Sequence, residues 1–255
     1  MQIRQASDRQ ALTDLNRAIG TPIDPESDDN ASVISILKRV VPPNSVQFNL
    51  VPTYGISAIR DRTTTANDGD ISLDSAGEIL LSTGATANST ATLETRERGQ
   101  YRSGAESSAA LGIRVPTDPV DDQVGRWGYF DEDNGFGYGI DADGPFLFRR
   151  FGGSDTIVRQ ADWNLDTLDG SRDAANPSGA VLDLAAGNVF QVWFWWYGYG
   201  SIRWEVEGLD RQTDQRRRIS VHRNTYSGSL SLEDPNQPIT VEVDNGAAGG
   251  DFDVY

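Results

Sequence analysis

Phe190-Gln-Val-Trp-Phe-Trp-Trp-Tyr197, then Gly198-Tyr-Gly-Ser201, then Ile202-Arg-Trp-Glu-Val-Glu207 is the stretch of this sequence that decides its fold. Two apolar runs joined by a short glycine-bearing segment read as a β-hairpin. In the second run Ile202, Trp204 and Val206 alternate with Arg203, Glu205 and Glu207, a period of two that turns one face to a core and the other to water. In the first run Phe190, Val192, Phe194 and Trp196 share a face, opposite Gln191, Trp193, Trp195 and Tyr197. Both faces are apolar, so this strand is either central and covered on both sides or exposes an aromatic strip. The second option makes Trp193, Trp195, Tyr197 and Tyr199 candidate glycan-stacking residues, because aromatic faces offer large rigid contact areas. The first makes them ordinary strand formers under a second layer or a neighbouring subunit.

The same punctuation extends in both directions. From about residue 46 onward, short alternating or apolar runs are separated by Gly, Pro, Asn and Asp. This pattern predicts strands at 47–51, 78–82, 91–98, 109–115, 125–130, 136–140, 146–151, 156–160, 190–197, 202–207, 217–222 and 239–243. Such a series suits a mainly β fold, a jelly-roll-like antiparallel β-sandwich. Residues 60–70 and 82–92, rich in Thr, Ser, Asn, Gly and Ala, read as a loop and an exposed edge region. The expected division is a β linker or small subdomain over 46–93 and the sandwich over 94–255.

Before residue 45 the period changes to that of helices. Leu12, Leu15 and Ile19 fall on one helical face behind a capping pattern at Ser7 and Gln10. Val33, Ile34, Leu37, Val40 and Val41 form a second apolar stripe that ends at Pro42-Pro43. Helices this short are marginal alone, so the stripes need a partner. That partner is either the protein's own β domain or, if 1–45 is an attachment and oligomerisation arm, other copies and other proteins of an assembly.

Charge narrows the setting. The 255 residues carry 38 acids and 22 bases, a formal charge of −16, with one His and no Cys. Nucleic-acid binding is disfavoured, since phosphate contacts need clustered Lys and Arg. Thiolate chemistry, disulfides and Cys-ligated metals are excluded. The kind of charge is equally telling: 21 of the bases are Arg and 28 of the acids are Asp. An Asp-rich, Lys-poor exterior suits multimolar salt, where charges are screened within a few ångströms. A halophilic host is the expectation; GC-rich codon usage is the alternative source of the Arg bias. No run approaches a membrane span of about 20 apolar residues, and the first residues lack the apolar stretch of a secretory signal. The expected location is therefore the cytoplasm, or a particle assembled there, with no membrane insertion.

Sites of chemistry are sparse. Asp131, Asp133, Asp141 and Asp143 sit in Asp- and Gly-bearing turns that resemble the start of an oxygen-ligand loop. Neither turn has the acidic twelfth residue of an EF-hand, since positions 142 and 152 are Ala and Gly. Asp–Gly pairs are commonly hairpin turns, so no cofactor is expected beyond a structural cation at most. His222 lies in an alternating strand and reads as a surface or edge residue. Carboxylate pairs for glycoside hydrolysis exist in any acidic β protein, but nothing fixes which two would meet. No catalytic residues are assigned and no enzyme activity is expected.

A longer pattern is also present. Tyr101-Arg-Ser-Gly104, Gly128-Tyr-Phe-Asp131, Asn134-Gly-Phe136, Phe148-Arg-Arg150, Val158-Arg-Gln160, Trp163-Asn164, Asp166, Leu168-Asp-Gly170, Leu182-Asp183, Val189-Phe190, Gly198-Tyr-Gly200, Ile202-Arg203, His222 with Asn224, Pro238-Ile239 and Glu242 follow one another in that order. The string resembles virion structural proteins of tailed double-stranded DNA viruses, over roughly residues 94–245. The chain departs from that pattern around the hairpin glycines, at Trp196-Tyr197 and Tyr199, and in the arm before residue 45. The resemblance implies a surface-displayed component (capsid turret or decoration, baseplate or tail fibre) whose partners are copies of itself and other virion proteins. A host surface glycan or glycoprotein would be a further partner. It implies no catalytic residues. A free carbohydrate-binding module or lectin is the alternative, and a polysaccharide-degrading enzyme a more distant one.

Overall fold

The computed structural model describes residues 55–102, 105–196, 200–226 and 230–255. The chain divides into two compact units, 1–46 and 47–255. Both helical stripes expected in the arm, the strand expected at 47–51, and Tyr197 and Tyr199 lie outside the described residues.

The second unit is an antiparallel β-sandwich. Its larger sheet has the order β1 (Asp61–Ala66), β4 (Thr90–Thr95), β13 (Ile239–Asp244), β6 (Val124–Phe130), β7 (Asn134–Asp141), β8 (Gly144–Phe151), β9 (Ser154–Arg159). Its smaller sheet has the order β12 (Gln215–Thr225), β11 (Ser201–Asp210), β10 (Asn188–Phe194), β5 (Ser107–Ile113). A third small sheet joins β14 (Asp253–Val254), β3 (Ile79–Ser82) and β2 (Asp70–Leu73). Among the described residues no helix is long and apolar enough to cross a membrane.

The alternation read from the sequence builds the core. Phe190, Val192 and Phe194 of β10 and Ile202, Trp204 and Val206 of β11 point inward, all buried. They meet Trp127 and Tyr129 of β6 and Phe136 and Tyr138 of β7, with ring centroids 5.1 Å apart for Trp127–Phe190 and 4.9 Å for Phe136–Phe194. Two of the buried polar tips bond across the gap. Trp204 Nε1 donates to the Gly137 carbonyl at 3.0 Å, and the Tyr138 hydroxyl lies 2.7 Å from the Glu205 carbonyl.

The larger sheet is covered on its other face as well. In β7, Phe136, Tyr138 and Ile140 alternate with Gly135, Gly137 and Gly139. This comb of glycines leaves a trough, and Phe130, Phe146 and Phe148 fill it as a second apolar cluster. A Cβ on Gly139 would collide with the Phe146 ring. Arg126 and Arg150 roof the rings, with Arg150 5.1 Å from Phe130 and 5.6 Å from Phe148. Both arginines are shared by Asp155 and Glu242: Arg150–Asp155 2.7 Å, Arg126–Asp155 3.1 Å, and each arginine 3.2 Å from Glu242.

Two sequence expectations need correction. Residues 60–70, read as a loop, contain β1 and the start of β2. β1 is an edge strand exposed along nearly its whole length, so it carries polar residues on both faces and shows no alternation. Residues 82–92, read as an exposed edge region, run into β4, whose Ala91 and Leu93 are core. β1 and β4 belong to the seven-stranded sheet, and the chain closes its sandwich by pairing β4 with the distant β13.

Candidate functional site

The outer face of the smaller sheet carries the aromatic strip. Strand β10 is central there, flanked by β11 and β5, and register sets Trp193 between Arg203 and Ser108, and Gln191 between Glu205 and Ala110. Trp196 turns inward, donating through Nε1 to the Leu232 carbonyl at 2.9 Å and meeting Tyr101 edge-on. Alternation therefore directs Trp195 outward with Trp193. Trp195 follows the Phe194–Ser107 pair, which brings it beside Glu106. Its ring is 40% exposed.

The two tryptophans are not equivalent. Trp193 is built in: its Nε1 donates to Glu205 at 2.8 Å and the Arg203 guanidinium lies 5.6 Å from its ring centre. Glu205 also accepts from the Ser220 hydroxyl at 2.9 Å and faces Arg203 at 3.1 Å. Arg203 reaches towards Glu106 only at 3.9 Å. Burial raises the Glu106 carboxyl above the usual range, Arg203 opposing and Glu205 reinforcing the shift. The Gln191 side chain is buried with Oε1 unpaired. The arrangement supplies an open indole, half-covered acceptors and a cation, which can stack on a ring and bond to hydroxyls.

The Asp candidates are used elsewhere. Asp131 closes the β6–β7 turn, its Oδ1 accepting from the amides of Asp133 and Asn134, and its Oδ2 is 2.7 Å from Arg98. Asp141 accepts from the Asp143 amide and is held bidentately by Arg159 at 2.6 and 2.9 Å. The two turns lie at opposite ends of β7. Asp141 and Asp143 line a pocket of about 280 Å³ with Asp121, Asp122 and Arg126. Among the described residues no group of three or more side chains converges as a metal site.

His222 lies on the edge strand β12, one of the two positions expected for it, but its side chain is buried and not at the surface. A bulge between Trp204 and Glu205 shifts the register of β12 and turns the imidazole inward onto Trp204. Its Nδ1 accepts from the Asn164 amide at 3.2 Å, and burial lowers its pKa.

Several described residues of the long motif string fall on the scaffold. Asn164 bonds both backbone groups of Arg223, at 2.8 and 2.9 Å. Asp166 accepts from the amides of Leu168 and Ser178, and Asp169 from Ser171 and Asn176. Arg150 and Glu242 belong to the roof above the phenylalanines. The string is a signature of how the loops are fastened. Sequence reading missed the roles of Arg203, Glu205 and Glu106 in the aromatic face; the alternation of Arg and Glu in β11 was the available signal, and Glu106 gave none.

No protein-family model matches the chain, and no curated protein sequence matches it. Solved structures share its build at low identity. A fungal endo-β-1,4-glucuronan lyase from Trichoderma reesei is 13% identical over 76% of this chain and 87% of its own, with a TM-score of 0.45. The Emp47p carbohydrate recognition domain is 12% identical over 82% and 88%, at 0.42. A legume lectin-like domain from Entamoeba histolytica is 10% identical over 77% and 89%, at 0.41. The sandwich is defined by the strand order and inter-sheet contacts above, and no activity is carried across from these similarities.

Proposed function

We propose that the β-sandwich is a carbohydrate-binding domain without enzyme activity, and that it takes its ligand on the outer face of the smaller sheet. The observation that carries this reading is Trp195, a large aromatic ring left open beside Glu106 and Ser108. Stacking on such a ring contributes area at little entropic cost. Of the carboxylates, Asp155 and Glu242 are clamped by two arginines, and Glu205 is held by Trp193, Ser220 and Arg203. Trp195→Ala should weaken binding of the chain to an oligosaccharide panel by about tenfold, the 1.4 kcal/mol expected of one aromatic anchor, with an unchanged circular dichroism spectrum. Equal binding by wild type and variant would overturn the site.

A second reading sets this domain on a tailed virus particle of a halophilic host, as a surface-displayed structural component that contributes to attachment. The ordered motif string over residues 94–245 and the Asp- and Arg-biased charge favour it. On this reading the chain is assembled in the host cytoplasm and exposed to brine in the virion. Mass spectrometry of purified virions decides between it and a free module: the chain should co-purify with particles at constant stoichiometry, and recovery only from the soluble fraction would count against it.

A further inference from the structure

The arginines of this chain are not all used alike. Nine described arginines form ion pairs with an Asp or Glu, and Arg96 and Arg149 donate to backbone carbonyls. Among the described residues six other guanidinium groups do neither, and four of these, Arg211, Arg216, Arg218 and Arg223, belong to β12 and the turn before it. With 38 acids in the chain, partners are in excess. Like charges gathered on one strand repel, and no carboxylate has been placed to quench them.

Parity puts three of the four on the face that carries the tryptophans. The Ser220 hydroxyl bonds Glu205, which holds Trp193, so Ser220, Arg218 and Arg216 point to the outer face of the smaller sheet while Ile219 enters the core. Beyond the bulge His222 turns inward, and Arg223 therefore turns outward, opposite Arg203. Arg216, Arg218 and Arg223 are exposed. Two carboxylates share this part of the face. Glu205 is engaged as described, and Glu207 stands opposite Arg218 without forming an ion pair; Asp214, in the turn, is exposed and also unpaired. Four arginines thus meet two glutamates across β11 and β12, in a chain of net charge −16. On the other border Glu106 is the carboxylate beside Trp195, so a negatively charged group is directed away from β5 and towards β12.

We propose that the ligand of this face is an anionic polysaccharide, its carboxylate or sulfate groups held by Arg216, Arg218 and Arg223 while a sugar ring stacks on Trp195. The proposal rests on the carbohydrate reading above and adds the charge of the ligand to it. The planar guanidinium fork matches carboxylate and sulfate oxygens two at a time. Such contacts, about 2.7–2.9 Å long, are no longer than the Debye length of about 3 Å at 1 M salt, so they persist where long-range attraction is screened. A nucleic-acid duplex would lay an unbroken line of phosphates over the acidic surface around the strand. A sugar chain, with spaced charges and apolar ring faces, needs only the arginines and the indole.

The test uses the full chain at 1 M and 0.3 M NaCl, with oligogalacturonate and its methyl ester, dextran sulfate and dextran, and duplex DNA as probes in calorimetry. The two members of each sugar pair share a skeleton and differ in charge. At least one acidic sugar should bind about tenfold or more tighter than its neutral partner, and which one does so separates carboxylate from sulfate recognition. The double variant Arg216→Gln, Arg218→Gln should bring that ratio to within about twofold, with an unchanged circular dichroism spectrum. Arg62→Gln with Arg98→Gln, the same charge change made elsewhere, should leave it intact. Trp195→Ala should weaken both members of the pair. Equal binding of acidic and neutral sugars would overturn the anionic ligand and leave the carbohydrate reading standing. Binding of DNA as tight as that of either acidic sugar would overturn the choice of a glycan, and binding of no sugar at all would remove both readings.

Discussion

Lowering the pH from 7.5 to 6 should destabilise this protein through one residue. His222 is the only histidine; it is buried against Trp204, and its Nδ1 must stay unprotonated to accept from the Asn164 amide. Burial lowers its folded pKa, whereas the unfolded chain returns it to about 6.5. The unfolded state therefore binds the extra proton first. Stability conferred by a group with a depressed folded pKa is complete above the unfolded value and is lost as pH falls through that value towards the folded one. One proton limits the slope to about 1.4 kcal/mol per pH unit. Urea unfolding followed by tryptophan fluorescence at half-unit pH steps reads it directly. His222→Asn keeps an acceptor where Nδ1 lies and does not titrate. It should be less stable at pH 7.5, having lost ring contact with Trp204, but flat from 7.5 to 6. The variant also separates His222 from Glu106 and Asp253, whose burial-raised carboxyls act with the opposite sign. An unchanged slope in His222→Asn, or a flat wild type, would refute the reasoning.

Other outcomes follow from the roof and the trough. Gly139→Val puts a branched side chain where the Phe146 ring and the Gly125 carbonyl already stand; overpacking of this kind costs about 1–3 kcal/mol or more, and calorimetry should show a lowered Tm or no folded protein. Phe148→Ala, which empties part of a fully buried cluster, should cost about 3–5 kcal/mol in urea unfolding, far more than truncation of the exposed Ile157 on the neighbouring strand. Arg150→Met leaves Asp155 with only Arg126 and should cost more than Arg62→Met, whose pair with Glu94 is largely exposed; equal losses would mean the roof is no better than a surface pair. Dilution from multimolar salt to below about 0.1 M, where the Debye length reaches about 10 Å, should lower stability by freeing the acidic groups to repel one another; a rise on dilution would remove the saline-host reading.

How much of this could be read from the chain depends on how each residue is used. The alternation in Ile202 to Glu207 placed β11 correctly because a strand half in water records its own orientation. β1 and β2 were invisible because strands largely exposed on both faces have no alternation to show. Gly137 and Gly139 fell within the strand expected at 136–140, but that they are needed for the rings laid over them by the neighbouring strands is a relation that local sequence does not encode. Trp193 and Trp195 were one strip in sequence; only the register with Arg203 and Glu106 distinguishes the anchored ring from the open one. His222 was misplaced because a bulge in the pairing with β11 resets the period.

The phenylalanine-filled trough makes the larger sheet an inner ply rather than an outer wall. With rings on both sides of β7, the sheet behaves as the web of a beam: flexing it in either direction must compress one aromatic layer while opening the other. The β6–β8 plate is then braced on both faces, and a pull delivered through either edge should be passed across it with little bending. A domain that must hold a ligand while something tugs at its attachment gains from such a plate, and force spectroscopy on wild type and Phe148→Ala would measure how much of that rigidity the buried rings supply.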